Sequence, residues 1–405
     1  MYSQCITKQY NNDKLVGCIY KRTYSGNIML CQSLPIKHII TLTILLFSYS
    51  SCTHLPPRVD EFGKPQREYV YHVPMQIDDG WLVASLAEEG LKEEIINDMM
   101  TDILAGKYPK LISIVLIRNG RLILEEFLYY NNPYWLQEFR SAGKSVTSVL
   151  MGIAFDKGYI KGVDEKLFEF FPAFEKGDNW DRRKDDVTLH HVLSMRWGFD
   201  ESGPANKLTW YTKNWIIKTL SLPLISEPGE KFEYHSAAPA LCGPILEDIS
   251  GMPVTEFAKE YLFKRLQISD YLWHTLSDGN TLTAGGMLMR PRDMAKIGYL
   301  ILNHGQWHGR QILSEKWIDL STKPYTSDDE MGYGYYWWLS KYKGGDEIFE
   351  TIFAAGHGGQ RVMVVPKLNL VAVFTSKPDD NPKGHKRIIK IMEKFILPSM
   401  VDSGS

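Results

Sequence analysis

The stretch "FRSAGKSVTS" (Phe139–Ser148) sets a hydroxyl, Ser141, three residues ahead of an amine, Lys144, at the mouth of an apolar run. On a helix such residues are neighbours, with Cβ atoms about 5–6 Å apart. An amine so placed takes the serine proton once burial among apolar neighbours disfavours its ammonium form. The spacing predicts a helix starting at Ser141, with Val146, Val149, Leu150, Ile153 and Ala154 on one face and Lys157-Gly158 as its end. The helix's positive pole would favour negative charge developing at its first residue. A second serine-x-x-lysine, Ser340–Lys343, falls at the end of a predicted strand. There the two side chains point to opposite faces, and the spacing carries no such chemistry.

Two further stretches could join the first. In "FEYHS" (Phe232–Ser236), alternation aims the Tyr234 and Ser236 hydroxyls to one side and His235 to the other, so His235 reads as structural. A phenol hydrogen-bonded to an amine can relay a proton. In "AAGHGGQRVMVVP" (Ala354–Pro366), a strand is broken by Gly356, Gly358 and Gly359, as expected where backbone approaches a ligand closely. Its N–H groups and that of Ser141 could form the two halves of an oxyanion hole. His357 could donate to a substrate or to Tyr234.

These residues need a frame to bring them together. Leu91, Ile95, Ile96, Met99, Met100, Ile103 and Leu104 recur at helical spacing over Glu88–Leu104, closing near Gly106. Two β-rich runs then flank Asn119-Gly120, a hairpin signal. Near the carboxyl end, "GYGYYWWLS", "EIFETIFAA", "QRVMVVP" and "LVAVFTS" read as strands, with a turn at Pro366–Asn369 and a last helix around Lys386–Leu397. The expected fold class is α/β (α+β): one antiparallel sheet built from both chain ends, flanked by the first and last helices, with a mainly helical lobe inserted. The sheet lobe is assigned to residues 87–130 plus 300–397, and the helical lobe to 131–299. Residues 53–86 read as a Pro- and charge-rich leader, and "EKGDNWDRRKDD" (Glu175–Asp186) as a solvated loop.

A net charge of −2 over 405 residues gives no reason to expect nucleic acid as a partner. Four of the five cysteines lie in the first 52 residues, and no Cys/His cluster suggests a metal; no cofactor is expected. Residues 1–52 read as a targeting segment, with Met29 as a possible true start. Lys37-His38 precedes the apolar run Ile39–Phe47, then small residues and Cys52. The run is too short to span a bilayer. A cysteine after "SYSS" resembles a bacterial lipoprotein signal, although Tyr49 stands where leucine is usual. The resemblance implies export to the periplasm and a lipid anchor on Cys52, the only membrane contact expected.

Taken together, "SAGK", "YHS" and "HGG" resemble the serine β-lactamase and penicillin-binding-protein superfamily, in particular its class C-like branch of esterases, D-aminopeptidases and 6-aminohexanoate-dimer hydrolases. "VTLHHVLSMRWGFD", "TAGGMLMRPRDMAKIGYLILNHGQWHGRQILSEKWI" and "GYGYYWW" are similar to that family too, so the likeness covers about residues 90–397. It implies the β-lactamase/transpeptidase-like fold and an acyl-enzyme on Ser141, with Lys144 and Tyr234 sharing the proton. It implies an oxyanion hole from the N–H groups of Ser141 and Gln360. Ser236, His357, Gly358, Gly359 and Tyr211 would contact substrate. Ser236 replaces the family's asparagine, His357 its lysine and Gly358 its hydroxyl residue. These departures favour small esters or amides over β-lactams. A D-amino-acid peptidase or weak β-lactamase is the alternative within the class, and a catalytically silent ligand-binding domain the alternative outside it.

Overall fold

Asn119 and Gly120 both take positive φ, 48° and 76°, the twist that lets two strands turn back on each other tightly. The hairpin they close lies inside a sheet to which both ends of the chain contribute. The computed structural model describes residues 8–11, 14–23, 26–34, 58–60, 63–65, 68–129, 131–200, 212–326, 331–377 and 383–400. Lys8–Asn11 (β1), Lys14–Thr23 (β2) and Gly26–Leu34 (β3) form an antiparallel sheet of their own. The apolar run Ile39–Phe47, Cys52 and Tyr211 lie outside the described residues.

In the compact unit Pro56–Ser405, the strands continue as β4 (Leu82–Val83), β5 (Leu111–Arg118), β6 (Arg121–Phe127), β7 (Gln137–Glu138), β8 (Tyr271–Trp273) and β9 (Met287–Met289). A small hairpin follows, β10 (Gln306–Trp307) with β11 (Arg310–Gln311). The last strands are β12 (Met331–Tyr333), β13 (Trp338–Gly344), β14 (Glu347–Gly356), β15 (Gln360–Val365) and β16 (Leu370–Ser376). The described α-helices are α1 (Glu93–Leu104), α2 (Gly143–Asp156), α3 (Leu189–Leu193), α4 (Trp215–Ser221), α5 (Ala237–Ser250), α6 (Val254–Ala258), α7 (Pro291–Leu302), α8 (Glu315–Ser321) and α9 (Lys383–Ile391). None is long and apolar enough to cross a membrane.

Eight strands form the main sheet in the order β12-β13-β14-β15-β16-β5-β6-β4. All neighbours are antiparallel except β4, which runs parallel to β6 and makes the sheet mixed. Alternate residues of the central strands enter two cores. Val115, Ile117, Val362, Val364, Val371 and Val373 face α7 and α2. Ile114, Leu116, Met363, Val365, Ala372 and Phe374 face α1 and α9. Because both faces are covered, residues 362–365 of β15 and 370–374 of β16 read as continuous apolar runs. Helix α7 lies close because Gly298 has no side chain; a Cβ there would stand 2.6 Å from Val362 Cγ1.

Two expected boundaries move. Helix α7 begins at Pro291, inside the stretch assigned to the helical lobe (131–299), yet it packs on the sheet. Likewise the leader, 53–86, is bound to the sheet where it is described. Tyr71 donates its hydroxyl to the Ile123 carbonyl and accepts from the Leu86 amide. Trp81, 1% exposed, donates to the Arg292 carbonyl. Buried Arg292 holds Glu125 with two bonds of 2.6 Å and Asp79 at 3.3 Å. Asp79 and Arg292 stand 213 residues apart in the sequence, so their pairing could not be read from the leader's charges.

Two outcomes follow from these buried charges. Glu125→Ala, which takes away both short bonds to a buried guanidinium, should cost about 3–5 kcal/mol in urea unfolding, and Asp79→Ala clearly less. The second concerns His191, which accepts from the Thr188 amide in the capping box of α3. Burial pushes its pKa down to about 4. The unfolded chain binds this proton from about pH 6.5 downward and the folded one only near 4. Stability from this site is therefore full above pH 6.5 and is lost as pH falls toward 4. His191→Gln keeps a capping acceptor and should flatten the fall in Tm between pH 6.5 and 4.5.

Candidate active site

The small sheet β7-β9-β8 delivers the chain to Ser141. Phe139 donates its amide to the Met287 carbonyl, and Arg140 then takes a φ of 52°, a left-handed turn unusual for a bulky non-glycine residue. Arg140–Ala142 form a 3-10 turn that runs into α2. The α-helix thus starts two residues later than the spacing predicts. This tighter turn helps, because side chains at i and i+3 of a 3-10 helix eclipse one another. Lys144 Nζ lies 3.0 Å from Ser141 Oγ.

Lys144 is 1% exposed. Its amine donates to the Ala284 carbonyl at 2.7 Å, in the "TAGG" segment that leads into β9. Next along α2, Thr147 donates to the Thr283 carbonyl and Ser145 to the Tyr336 carbonyl. Glycines allow the close fit: a Cβ on Gly285 would stand 3.2 Å from the Arg140 carbonyl oxygen. On the opposite side, a Cβ on Gly356, at the end of β14, would stand 2.5 Å from the Phe139 carbonyl oxygen. The Ser141 turn is held between these two backbones.

Tyr234 sits on an irregular segment just ahead of α5. Its phenol lies near Ser141, whose hydroxyl lowers the phenol's pKa, and Lys144 Nζ lies 5.3 Å from its ring centre. The ring stacks on Trp338 (5.4 Å, 28°) and meets the edge of Tyr333. Desolvation of the phenol oxygen raises its pKa more than Ser141 lowers it, so the group stays protonated at neutral pH. The ring is 41% exposed while Lys144 is sealed, so the serine is approached from the tyrosine side. Ser236 holds the N-cap position of α5 with no capping bond from its side chain. His235 packs against Trp197 and near Glu233, with its pKa lowered by burial.

The His357–Gly359 stretch is the turn between β14 and β15. Gly358 and Gly359 take φ of 86° and 106°. A Cβ on Gly359 would meet the Gly384 carbonyl oxygen at 3.1 Å and Ser376 Oγ at 3.2 Å. These glycines are therefore required by the protein's own backbone, whereas the sequence suggested approach to a ligand. His357 is exposed. Gln360 anchors the turn: its side-chain amide donates to the Ser376 carbonyl and accepts from the Ser376 amide.

The structure thus gathers Ser141, Lys144 and Tyr234 into one cluster and brings the Gly356 end of the glycine turn against the Ser141 segment. Sequence reading missed Ala284 and Trp338, which hold the amine and the phenol. Their signals were a glycine pair after Ala284 and the aromatic run ending at Trp338.

A β-lactamase family model matches residues 112–394, and the chain belongs to that family. It is a serine hydrolase of the class C-like branch, with the β-lactamase/transpeptidase-like fold. It is 22% identical to an N-acetylmuramyl-L-alanine amidase of Bacillus subtilis (strain 168), over 71% of this chain and 83% of that protein. It is also 22% identical to a 6-aminohexanoate-dimer hydrolase of Paenarthrobacter ureafaciens, over 60% of this chain and 67% of that one. Among solved structures, EstCE1, a hydrolase with promiscuous acyltransferase activity, superposes with a TM-score of 0.61 at 14% identity, covering 76% of this chain and 99% of its own.

Gly356→Ala tests the pincer around Ser141. Its methyl must displace either Phe139 or β14, so unfolding free energy should fall by about 1–3 kcal/mol. Hydrolysis should fall by at least tenfold even at temperatures where the variant is fully folded by circular dichroism.

Proposed function

We propose that the chain cleaves carboxylic esters or small amides through an acyl-enzyme on Ser141. The observation that carries this reading is the Lys144 amine held 3.0 Å from Ser141 Oγ, with the Tyr234 phenol close enough to Ser141 to feel its hydroxyl. As a neutral amine, Lys144 gives one N–H to the Ala284 carbonyl and turns its lone pair to the Ser141 hydroxyl. The serine oxygen attacks the acyl carbon as its proton passes to Lys144. Tyr234, protonated, hands a proton to the departing alkoxide or amine and is refilled from Lys144. The same pair then activates water to release the acid. The amides of Ser141 and Gln360 receive the oxyanion; losing one such donor typically costs about 10²–10³ in rate.

The departures at Ser236, His357 and Gly358 support ester or small-amide substrates over β-lactams, with Ser236 and His357 orienting the substrate. A 6-aminohexanoate-dimer hydrolase among the relatives is consistent with small amides. From Ile39–Phe47 and Cys52 we further place this chemistry in the periplasm, on a lipid anchor.

Mass spectrometry of the chain exposed to a fluorophosphonate and, separately, to a penicillin tests the reading. Labelling by the phosphonate alone, lost in Ser141→Ala, is expected. Penicilloylation would favour the β-lactamase or peptidase alternative, and no labelling by either the silent binding domain. Against p-nitrophenyl esters, Tyr234→Phe should lower kcat by about 10²–10⁴ with KM nearly unchanged. Turnover left intact in Ser141→Ala would sink the assignment.

A further inference from the structure

Just past the His357–Gly359 turn, β15 carries a buried cation. Arg361 follows Gln360 and pairs with Ala355 on β14 and Phe374 on β16. It is 6% exposed, and its Nε and Nη1 are shut off from solvent without a hydrogen-bond partner. Burial lowers its pKa only to about 10, so the guanidinium stays charged at neutral pH. An incompletely bonded buried charge costs stability, and an apolar side chain of similar length would avoid that cost.

A file of rings joins this charge to the phenol of the candidate site. The guanidinium carbon lies 4.9 Å over the Phe353 ring. Phe353 stacks on Trp338, with centres 6.4 Å and planes 14° apart. Trp338 stacks in turn on Tyr234, at 5.4 Å and 28°. The groups that favour the charged form of Arg361 are two phenols, Tyr342 and Tyr234. The cation acts back on Tyr234, favouring its ionised form. Phe353 is buried and Trp338 half-buried, and apolar rings between two charges screen them far less than water does. The other ionisable groups toward Tyr234 are Ser141, Lys144 of α2 and Tyr333 of β12. His385 of α9 stands toward Arg361, but burial pulls its pKa down to about 4 and leaves it neutral.

We propose that Arg361 is a positioning residue acting through Tyr234: its charge, held behind the Phe353–Trp338 file, stabilises the phenolate formed when Tyr234 protonates the leaving group. The inference rests on the acyl-enzyme reading above. In that step the bond from the acyl carbon to the leaving oxygen or nitrogen breaks, and the leaving atom keeps the electron pair. It takes the phenol's proton. The phenolate is then reprotonated by the ammonium that Lys144 became on receiving the serine proton. Lys144 thus gives up its charge as the step completes, whereas Arg361 stays charged throughout.

The demand on the phenol depends on the leaving group. p-Nitrophenolate departs without a proton, whereas an alkoxide leaves poorly without one. Ethyl and p-nitrophenyl esters of the same acid are therefore compared by kcat/KM, which covers the steps through acylation. Arg361→Met should lose about three- to tenfold more on the ethyl ester, a fraction of what general-acid help supplies. A direct reading comes from 3-fluorotyrosine placed at position 234, a phenol more acidic than tyrosine and visible by fluorine-19 resonance. Its titration midpoint should lie at higher pH in Arg361→Met, because the cation that favours ionisation is gone. Arg361→Gln, also neutral but able to hydrogen-bond, should shift the midpoint in the same sense, which keeps the test open if the methionine variant does not fold. A midpoint that stays or falls overturns the inference. Equal losses on the two esters do so as well, since a merely structural role would slow both alike. The fluorine titration needs no turnover, so its outcome is separate from the role given to Ser141, which is judged by its own labelling.

Discussion

A lysine amine taken out of water must find an acceptor, and here it finds the Ala284 carbonyl at 2.7 Å. Much of the site follows from that demand. The bond ties the first turn of α2 to the segment entering β9, and Thr147 repeats the tie one turn later at Thr283. With α2 so docked, the preceding residues have little room. Gly285 and Gly356 close on them from two sides as bare backbone, and Arg140 accepts a left-handed conformation to pass between. The serine's position is thus fixed by main-chain contacts on both flanks. Fixing a hydroxyl in that way costs no reorganisation when it reacts.

The phenol is held by different means. Tyr234 lies on a segment without regular structure, so no backbone ladder fixes it. Its ring rests on Trp338, which stacks in turn on Phe353. Trp338 is paired on both sides, to Tyr333 and to Phe353. Such ring contacts are worth about 0.5–1.5 kcal/mol each beyond the area they bury. That is enough to favour one ring orientation while leaving the segment able to adjust to a substrate. The helical side supplies the serine and lysine, the sheet supplies the glycine turn, and aromatic stacking joins the tyrosine to the sheet.

What the sequence disclosed and what it concealed divide along physical lines. Local devices were legible. Asn119-Gly120 declared its hairpin, the alternating and continuous apolar runs declared the strands of one sheet, and Ser141 to Lys144 declared its helical register. Contacts between distant segments were not. Neither Ala284 nor Trp338 carries a reactive group, so nothing marked them as supports. The leader's hold on the sheet was hidden because Asp79 shows its charge in the sequence and Arg292, its partner, stands 213 residues on. The 3-10 turn at Arg140–Ala142 was hidden as well, since periodicity over so short a piece cannot separate three residues per turn from 3.6.

The glycines of "HGG" show how one pattern can have two physical causes. A glycine in a strand marks close approach without saying of what. Here Gly358 and Gly359 are closed from below by Gly384 and Ser376, and Gln360 clamps the next residue to β16. A turn locked in this way cannot reshape itself for different ligands. Variation at this edge must then come from the one exposed side chain the turn presents, His357, together with the less rigid Tyr234 wall opposite. On the proposed acyl-enzyme reading, a rigid turn facing an adjustable aromatic wall would let one acylation geometry serve acyl groups of different shape, with the reacting carbonyl held while the rest of the substrate is accommodated elsewhere.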